Sequence, residues 1–251
     1  MEKLFDFLPQ SVAGKNVLVT GGTTGIGRAT AILLAGQGAN VLTFGRDQQH
    51  LDDSLNDIQK AAKGTVHGFL ADVATEDGVK KIFEEVDARF DKLDILVNNA
   101  ALPYGSVTEG NYREWKYVMD TNLLGYLACS GEAITRMKEN GGGHIVNIGS
   151  MSADVREEKS SAYVAAKAGI QGFSESLRKQ VNPMGIKISL VEPGAVDTDM
   201  QAESTEEKKK NVENLEMLTA DDIAAAVLYC LIQPKRCDIV ELKVRPHLQL
   251  I

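Results

Sequence analysis

The feature that most narrows the fold is a regular alternation along the chain. Short β-rich runs, "NVLVT" (16–20), "NVLTF" (40–44), "TVHGFL" (65–70), "DILV" (94–97), "HIVNI" (144–148), "IKISLV" (186–191) and "DIVELKV" (238–244), are separated by longer amphipathic stretches. Several runs are apolar almost throughout, which is the pattern of strands covered on both faces. Helical periodicity fills the gaps at about 25–37, 47–62, 75–90, 111–139, 161–181 and 219–233. Strand–helix alternation of this kind predicts an α/β fold: one doubly wound parallel sheet of seven strands with right-handed crossovers, flanked by helices. No internal repeat or low-complexity linker marks a boundary, so residues 1–251 read as a single domain.

Two segments interrupt the alternation. "VREEKSS" (155–161) is a polar loop before the fifth long helix. "DTDMQAESTEEKKKNVENLEML" (197–218) is long and highly charged, and a connection of that length predicts a functional lid or a mobile segment. Its "EEKKK" run reads as a solvated helix face.

Charge and composition exclude several classes. A net charge of −8 argues against nucleic acid or an anionic membrane surface as the main partner. No segment reaches the roughly 20 apolar residues of a membrane helix, and "MEKLFDFLPQ" lacks signal-peptide architecture. Cys129, Cys230 and Cys237 form no CxxC pair and read as reduced structural thiols of a cytoplasmic protein. His50, His67, His144 and His247 are scattered without ligand spacing, so no metal site is expected.

The first strand runs into "TGGTTGIG" (20–27), and a helix follows at once. Gly21 suits the tight turn, while Gly25 and Gly27 admit close approach of a ligand and close packing of the helix. The helix N-terminus then offers free N–H groups to a pyrophosphate. Glycine clusters alone are weak evidence, but strand, turn and helix together favour nucleotide binding over a bare turn. In "YVAAK" (163–167), Tyr163 and Lys167 share one helix face. A free phenol has a pKa of about 10, and a cation one turn away favours the phenolate. Taken alone, the pair also reads as a half-buried Tyr and a snorkelling Lys on an amphipathic helix.

With "NNAA" (98–101), these motifs at these separations resemble the short-chain dehydrogenase/reductase family, in its form of about 250 residues, over essentially the whole chain. The resemblance implies a Rossmann-like dinucleotide-binding fold and an oxidoreductase acting on a small carbonyl or alcohol substrate. It implies Tyr163 as proton donor and acceptor, Lys167 beside the Tyr163 hydroxyl or the cofactor ribose, and Asn122 in "DTNLLG" supporting a water relay. Asn122 also reads as a plain structural hydrogen-bonder. The family's serine, thirteen positions before the tyrosine, maps to Ser150, with Ser152 as its neighbour. Cofactor contacts are implied for Gly21, Thr23, Gly25, Ile26 and Gly27, for Asp72 and Val73, for Asn99 and Ala100, for Tyr163 and Lys167, and for Val196 and Thr198. Asn98 reads instead as a tie between central strands.

The sequence departs from the family pattern at Ala101, which stands for the usual glycine, and at the tail "VELKVRPHLQLI", which is similar to that of hydroxy-acid and serine dehydrogenases. An NAD-preferring relative places an acid at the position of Gly45. Glycine followed by Arg46 predicts NADP(H), with Arg46 pairing the 2′-phosphate, although Asp47 follows directly. The family assembles as homodimers or homotetramers through its fourth and fifth long helices, where Trp115, Met119 and Leu123 form an apolar stripe that core packing explains equally well. The rival expectation is a non-catalytic nucleotide-binding sensor on the same fold.

Overall fold

The computed structural model describes residues 10–201 and 203–249. The readings made on residues 1–9, on Ala202 and on Leu250 and Ile251 lie outside the described residues.

Seven parallel strands form one sheet in the order β3-β2-β1-β4-β5-β6-β7. They are β1 (Asn16–Val19), β2 (Asn40–Gly45), β3 (Val66–Leu70), β4 (Ile95–Asn98), β5 (Gly143–Ile148), β6 (Ile186–Pro193) and β7 (Glu241–Val244). Successive side chains point to opposite faces of a strand, so each central strand feeds two cores. Val17 and Val19 of β1 join a cluster with Leu34 of α1 (Gly25–Gly36) and with Ile223 and Val227 of α9 (Ala220–Leu231). Leu18, between them, joins the opposite cluster. There it is grouped with Ile82 and Phe83 of α3 (Glu76–Arg89) and Met137 of α5 (Gly125–Glu139). This two-sided burial is what the continuous apolar runs require.

The remaining helices are α2 (Gln48–Ala61), α4 (Tyr112–Met119), α6 (Ser152–Val155), α7 (Ser161–Val181) and α8 (Thr205–Glu213). Three differ from expectation. The stretch read as one helix over 111–139 is interrupted by a π turn at Asp120–Leu124, which periodicity over a long window does not register. Helix α6 is a single short turn with no counterpart in the expected helices, and it reaches only the first residue, Val155, of the expected polar loop. Helix α8 lies inside the charged connection and starts with a capping box, Ser204 and Glu207 each bonding the other's backbone N–H. Its face is not wholly solvated: Lys208 is buried and donates to the Thr198 carbonyl at 2.9 Å.

Buried amides join the central strands. Asn98 Nδ2 donates to Asn147 Oδ1 at 2.9 Å and to Ser130 Oγ at 3.0 Å, while Asn147 Nδ2 donates to Ser174 Oγ at 2.9 Å. Asn98 thus ties β4 to β5 and to α5, as its sequence position suggested. In the helical stripe, Leu123 packs against the buried Tyr126, Ile170 and Leu190, and it is Leu124 and Leu127 that are exposed. Cys129 and Cys230 are free and buried, and burial pushes their thiols up to about 12 and about 11. No helix among the described residues is long and apolar enough to cross a membrane.

Candidate active site

The order of the sheet reverses between β1 and β4, and the chain leaving these neighbouring strands opens a cleft at their C-terminal ends. Thr20 staples the gap. Its Oγ1 accepts from the Asn99 and Ala100 amides at 2.8 and 3.0 Å. Asn99 Nδ2 donates to the Thr20 and Gly21 carbonyls at 3.0 Å each. Gly21 has φ +64°, and a Cβ there would lie 2.9 Å from Ala100 Cα. A Cβ on Gly27 would meet the Gly21 carbonyl oxygen at 2.3 Å, so the turn closes on α1 only with glycine. The first turn of α1 carries no acidic residue, and the start of the helix borders a cavity of about 330 Å³ lined by Gly21, Thr23, Gly25, Ile26, Asn99 and Thr198.

Farther along the cleft, a second cavity of about 470 Å³ is lined by Ser150, Tyr163 and Lys167. Ser150 leaves the end of β5, and its Oγ accepts from the Ser152 amide at 3.1 Å. Tyr163 and Lys167 project from one face of α7, a helix that the run of alanines between them favours. Lys167 is buried with its Nζ 5.6 Å from the ring centroids of both Tyr126 and Tyr163. It donates to the Ile148 carbonyl at 2.9 Å. Burial pulls the Lys167 ammonium down to about 7. Tyr163 is held above the ordinary phenol value, chiefly by burial; the Ser150 hydroxyl pulls the other way, and the Glu157 carboxylate pushes it further up. The expectation of a phenol depressed by Lys167 is therefore corrected: burial dominates, and the ammonium is directed at a backbone carbonyl.

Asn122 is fully buried in the π turn, and its side chain takes the Leu102 N–H at 2.7 Å and gives to the Leu102 carbonyl at 2.8 Å. Its amide thus holds the loop after β4, the structural role that its sequence position also allowed. Val196 bridges Leu218, and Thr198 lines both cavities, within 3.3 Å of where a Cβ on Gly25 would reach.

At the other end of the cleft, Asp72 and Val73 line the wall beside Arg46. Asp72 accepts from the Ala74 amide at 3.0 Å and from the Tyr117 hydroxyl at 2.7 Å. The Arg46 guanidinium bonds the same hydroxyl and lies 5.6 Å from the Tyr117 ring centroid. Asp47 serves as the N-cap of α2, accepting the His50 amide at 2.9 Å. His50 lines the cleft with Arg46, and neither it nor Tyr117 had a motif to reveal it.

Sequence reasoning also passed over Glu192. It is fully buried at the end of β6, and neither carboxylate oxygen has a hydrogen-bond partner among the described residues. Lys243 Nζ is 3.8 Å away but is shared with Asp154 and Glu241. Burial first, then the charges of Glu241 and Asp154, push the Glu192 carboxyl up to about 7. Its charge in turn raises the Lys167 pKa against the effect of burial. The sequence signal was an acid ending an otherwise apolar strand, "ISLVEP".

A parallel doubly wound sheet, a glycine cradle at the strand switch and a Ser–Tyr–Lys cluster beside it define an α/β oxidoreductase. The comparisons agree. The family model described as short chain dehydrogenase matches residues 15–209. An uncharacterized oxidoreductase of Staphylococcus saprophyticus is 33% identical over 233 residues, covering 92% of this chain and 97% of that protein. Another, from Staphylococcus epidermidis, is 33% identical over 238 residues, covering 94% and 98%. Among solved structures, a short-chain type dehydrogenase/reductase from Mycobacterium ulcerans superposes with a TM-score of 0.84 at 22% identity, covering 94% of this chain and 90% of that one. L-Sorbose reductase from Gluconobacter frateurii, complexed with NADPH and L-sorbose, gives 0.86 at 21% identity, covering 95% and 98%. Those two share the fold. This chain belongs to the short-chain dehydrogenase/reductase family.

The state of Glu192 has a measurable consequence. An ordinary glutamate titrates near 4.3 when unfolded, and here burial lifts it to about 7. The folded protein therefore binds the proton more tightly, and stability falls as pH rises from about 4 to about 7. Glu192→Gln removes that loss. The variant is expected to be more stable than the parent by about 1–3 kcal/mol at pH 8 and equal to it near pH 4. Thermal unfolding at both pH values checks this. A less stable variant at pH 8 would mean a charged carboxylate paired with Lys243.

Proposed function

We propose that this chain is an NADP(H)-dependent oxidoreductase that interconverts a small carbonyl compound and its alcohol. The observation that carries the reading is the placement of Ser150 and Tyr163 on one cavity, with the buried Lys167 behind the phenol and the glycine cradle adjoining. Gly21, Thr23, Gly25, Ile26 and Gly27 would hold the pyrophosphate, Asp72 and Val73 the adenine end, Asn99 and Ala100 a ribose, and Val196 and Thr198 the nicotinamide end. When bound, the dinucleotide supplies or accepts the hydride at the substrate carbon.

The protein's own part is to hold the oxygen and move a proton. Ser150 Oγ donates to the carbonyl oxygen and stabilises charge that develops there. The Tyr163 hydroxyl donates to the same oxygen and delivers its proton as the alcohol forms; in the reverse direction it takes the proton back. A phenol held above its usual pKa stays protonated at neutral pH, the form that reduction needs. The charge of Lys167, sustained by Glu192, favours the transient phenolate. Asn122 keeps the loop over the ribose site in place through Leu102. Tyr163→Phe is expected to lower kcat by about 10²–10⁴-fold and to leave dinucleotide affinity nearly unchanged. Steady-state kinetics and fluorescence titration test this; activity within a few-fold of the parent would remove Tyr163 from the mechanism.

The choice of NADP(H) rests on the end of β2. Gly45 brings no carboxylate; the Asp47 carboxylate lines the same cavity and caps the N-terminus of α2, accepting the His50 amide at 2.9 Å. Arg46 and His50 supply donors at the same wall. A Cβ at Gly45 would meet Thr23 Cγ2 at 2.4 Å, so an acid fits there only if Thr23 yields. kcat/KM is expected to favour NADPH over NADH at least about tenfold, a difference of about 1.4 kcal/mol. The combination Thr23→Ala, Gly45→Asp and Arg46→Ile is expected to reverse the order. A wild-type preference for NADH would overturn the assignment.

The connection 197–218 acts in this reading as a lid. Met200 and Gln201 line the substrate cavity, and Lys208 ties α8 to the Thr198 carbonyl, so ligands at the nicotinamide end and α8 are mechanically joined. Amide exchange in 199–216 is expected to slow on addition of dinucleotide and substrate; exchange that is slow beforehand and unchanged would refute closure.

A further inference from the structure

The outer wall of the substrate cavity carries a distinctive set of groups. Among the described residues that line it, only Lys167 and Glu157 bear a formal charge. Lys167 is buried, and its ammonium donates to the Ile148 carbonyl at 2.9 Å. Apart from Lys167, the lining therefore presents an anion and no cation to a substrate. Arg245, in the tail that returns toward the cavity, gives its Nη1 to the Gln249 carbonyl at 2.9 Å instead.

Two of the polar groups on this wall are held in place by bonds of their own. Glu157 follows α6 after Arg156, which is left-handed at φ 57° and turns the chain. Its Oε1 accepts from Ser152 Oγ at 3.0 Å, which orients the carboxylate. Gln249 comes from the C-terminal tail, and its Oε1 accepts from the Ala195 amide at 3.1 Å, which commits the carbonyl side and turns Nε2 into the available donor. The wall thus offers an oriented acceptor, Glu157 Oε2, and an oriented donor, Gln249 Nε2. A hydroxyl answers both, because it donates and accepts. A carboxylate or phosphate only accepts, and is repelled by Glu157. A hydrocarbon chain leaves both groups unanswered.

We infer that the substrate is an uncharged polyhydroxylated carbonyl compound, of the ketose–polyol class, whose hydroxyls are taken by Glu157 and Gln249 while its carbonyl oxygen lies at Ser150 and Tyr163. The inference rests on the oxidoreductase reading of the Ser150–Tyr163 pair. It runs against a hydroxy-acid substrate, which the similarity of the tail alone would suggest.

The test compares kcat/KM for ketopentoses and ketohexoses, for 2-hexanone and for 4-oxopentanoate, each with NADPH and NADH. The best ketose is expected to exceed 4-oxopentanoate at least tenfold. Glu157→Gln is expected to lower the ratio of ketose to keto acid at least fivefold by removing the repulsion, and Gln249→Leu to raise KM for the ketose more than it lowers kcat. Turnover of 4-oxopentanoate equal to or better than that of every ketose, or of 2-hexanone alone, would overturn the substrate class and leave the oxidoreductase reading standing. Dinucleotide binding by fluorescence with no turnover in any arm would overturn both.

Discussion

The site depends on a topological constraint: β1 and β4 are neighbours in a parallel sheet, and the sheet order reverses across them. Parallel strands deliver all their C-terminal ends to one edge, and at the reversal the connecting helices diverge to opposite faces, which leaves a crevice. Thr20 and Asn99 span the floor of that crevice with four hydrogen bonds between the chain segments leaving β1 and β4. The closeness of those segments is why glycine is required at positions 21 and 27, where a Cβ would run into the neighbouring backbone. The glycine turn and the order of the strands are thus one feature seen at two scales.

Burial of charge governs the chemistry beside it. Lys167 is enclosed between two tyrosine rings and the end of β5, and in that medium its ammonium sits near 7 instead of the usual lysine range. Glu192, buried without a hydrogen-bond partner among the described residues, supplies the opposing charge from β6. Lys243, Asp154 and Glu241 act on Glu192 in turn. A proton added at Glu192 therefore weakens support for the charge on Lys167, so the electrostatics of the site extend to β7 and the short helix after Ser150. Such coupling is strong because a low local dielectric leaves each charge poorly screened.

Strand order apart, most of the scaffold was legible in the one-dimensional pattern. The seven β-rich runs fall on the seven strands within a few residues; the central ones are largely apolar because they are buried on both faces, whereas the edge strands β3 and β7 keep exposed polar positions. The glycine turn and the Tyr–Lys spacing were legible because their geometry is local: one turn, and one helical repeat. Helix α8 had a readable start in its Ser204–Glu207 box, but its charged composition masked it. The π turn had no readable signal, since one extra residue in a helical turn does not disturb periodicity over a long window.

What the sequence by itself determined, then, was set by short-range geometry and by which residues must avoid water: the class of fold, the glycine turn, and the candidacy of Ser150, Tyr163 and Lys167. Only the tertiary structure decided what those groups experience. It placed Glu157 and Gln249 on the same cavity from segments about ninety residues apart. It spent Asn122 on Leu102 and Asp47 on a helix end. It also made burial, and not the neighbouring ammonium, the dominant influence on Tyr163. The physical reason is that dielectric environment, hydrogen-bond occupancy and charge proximity are properties of three-dimensional neighbours, and residues distant in sequence supply most of those neighbours once the sheet has closed.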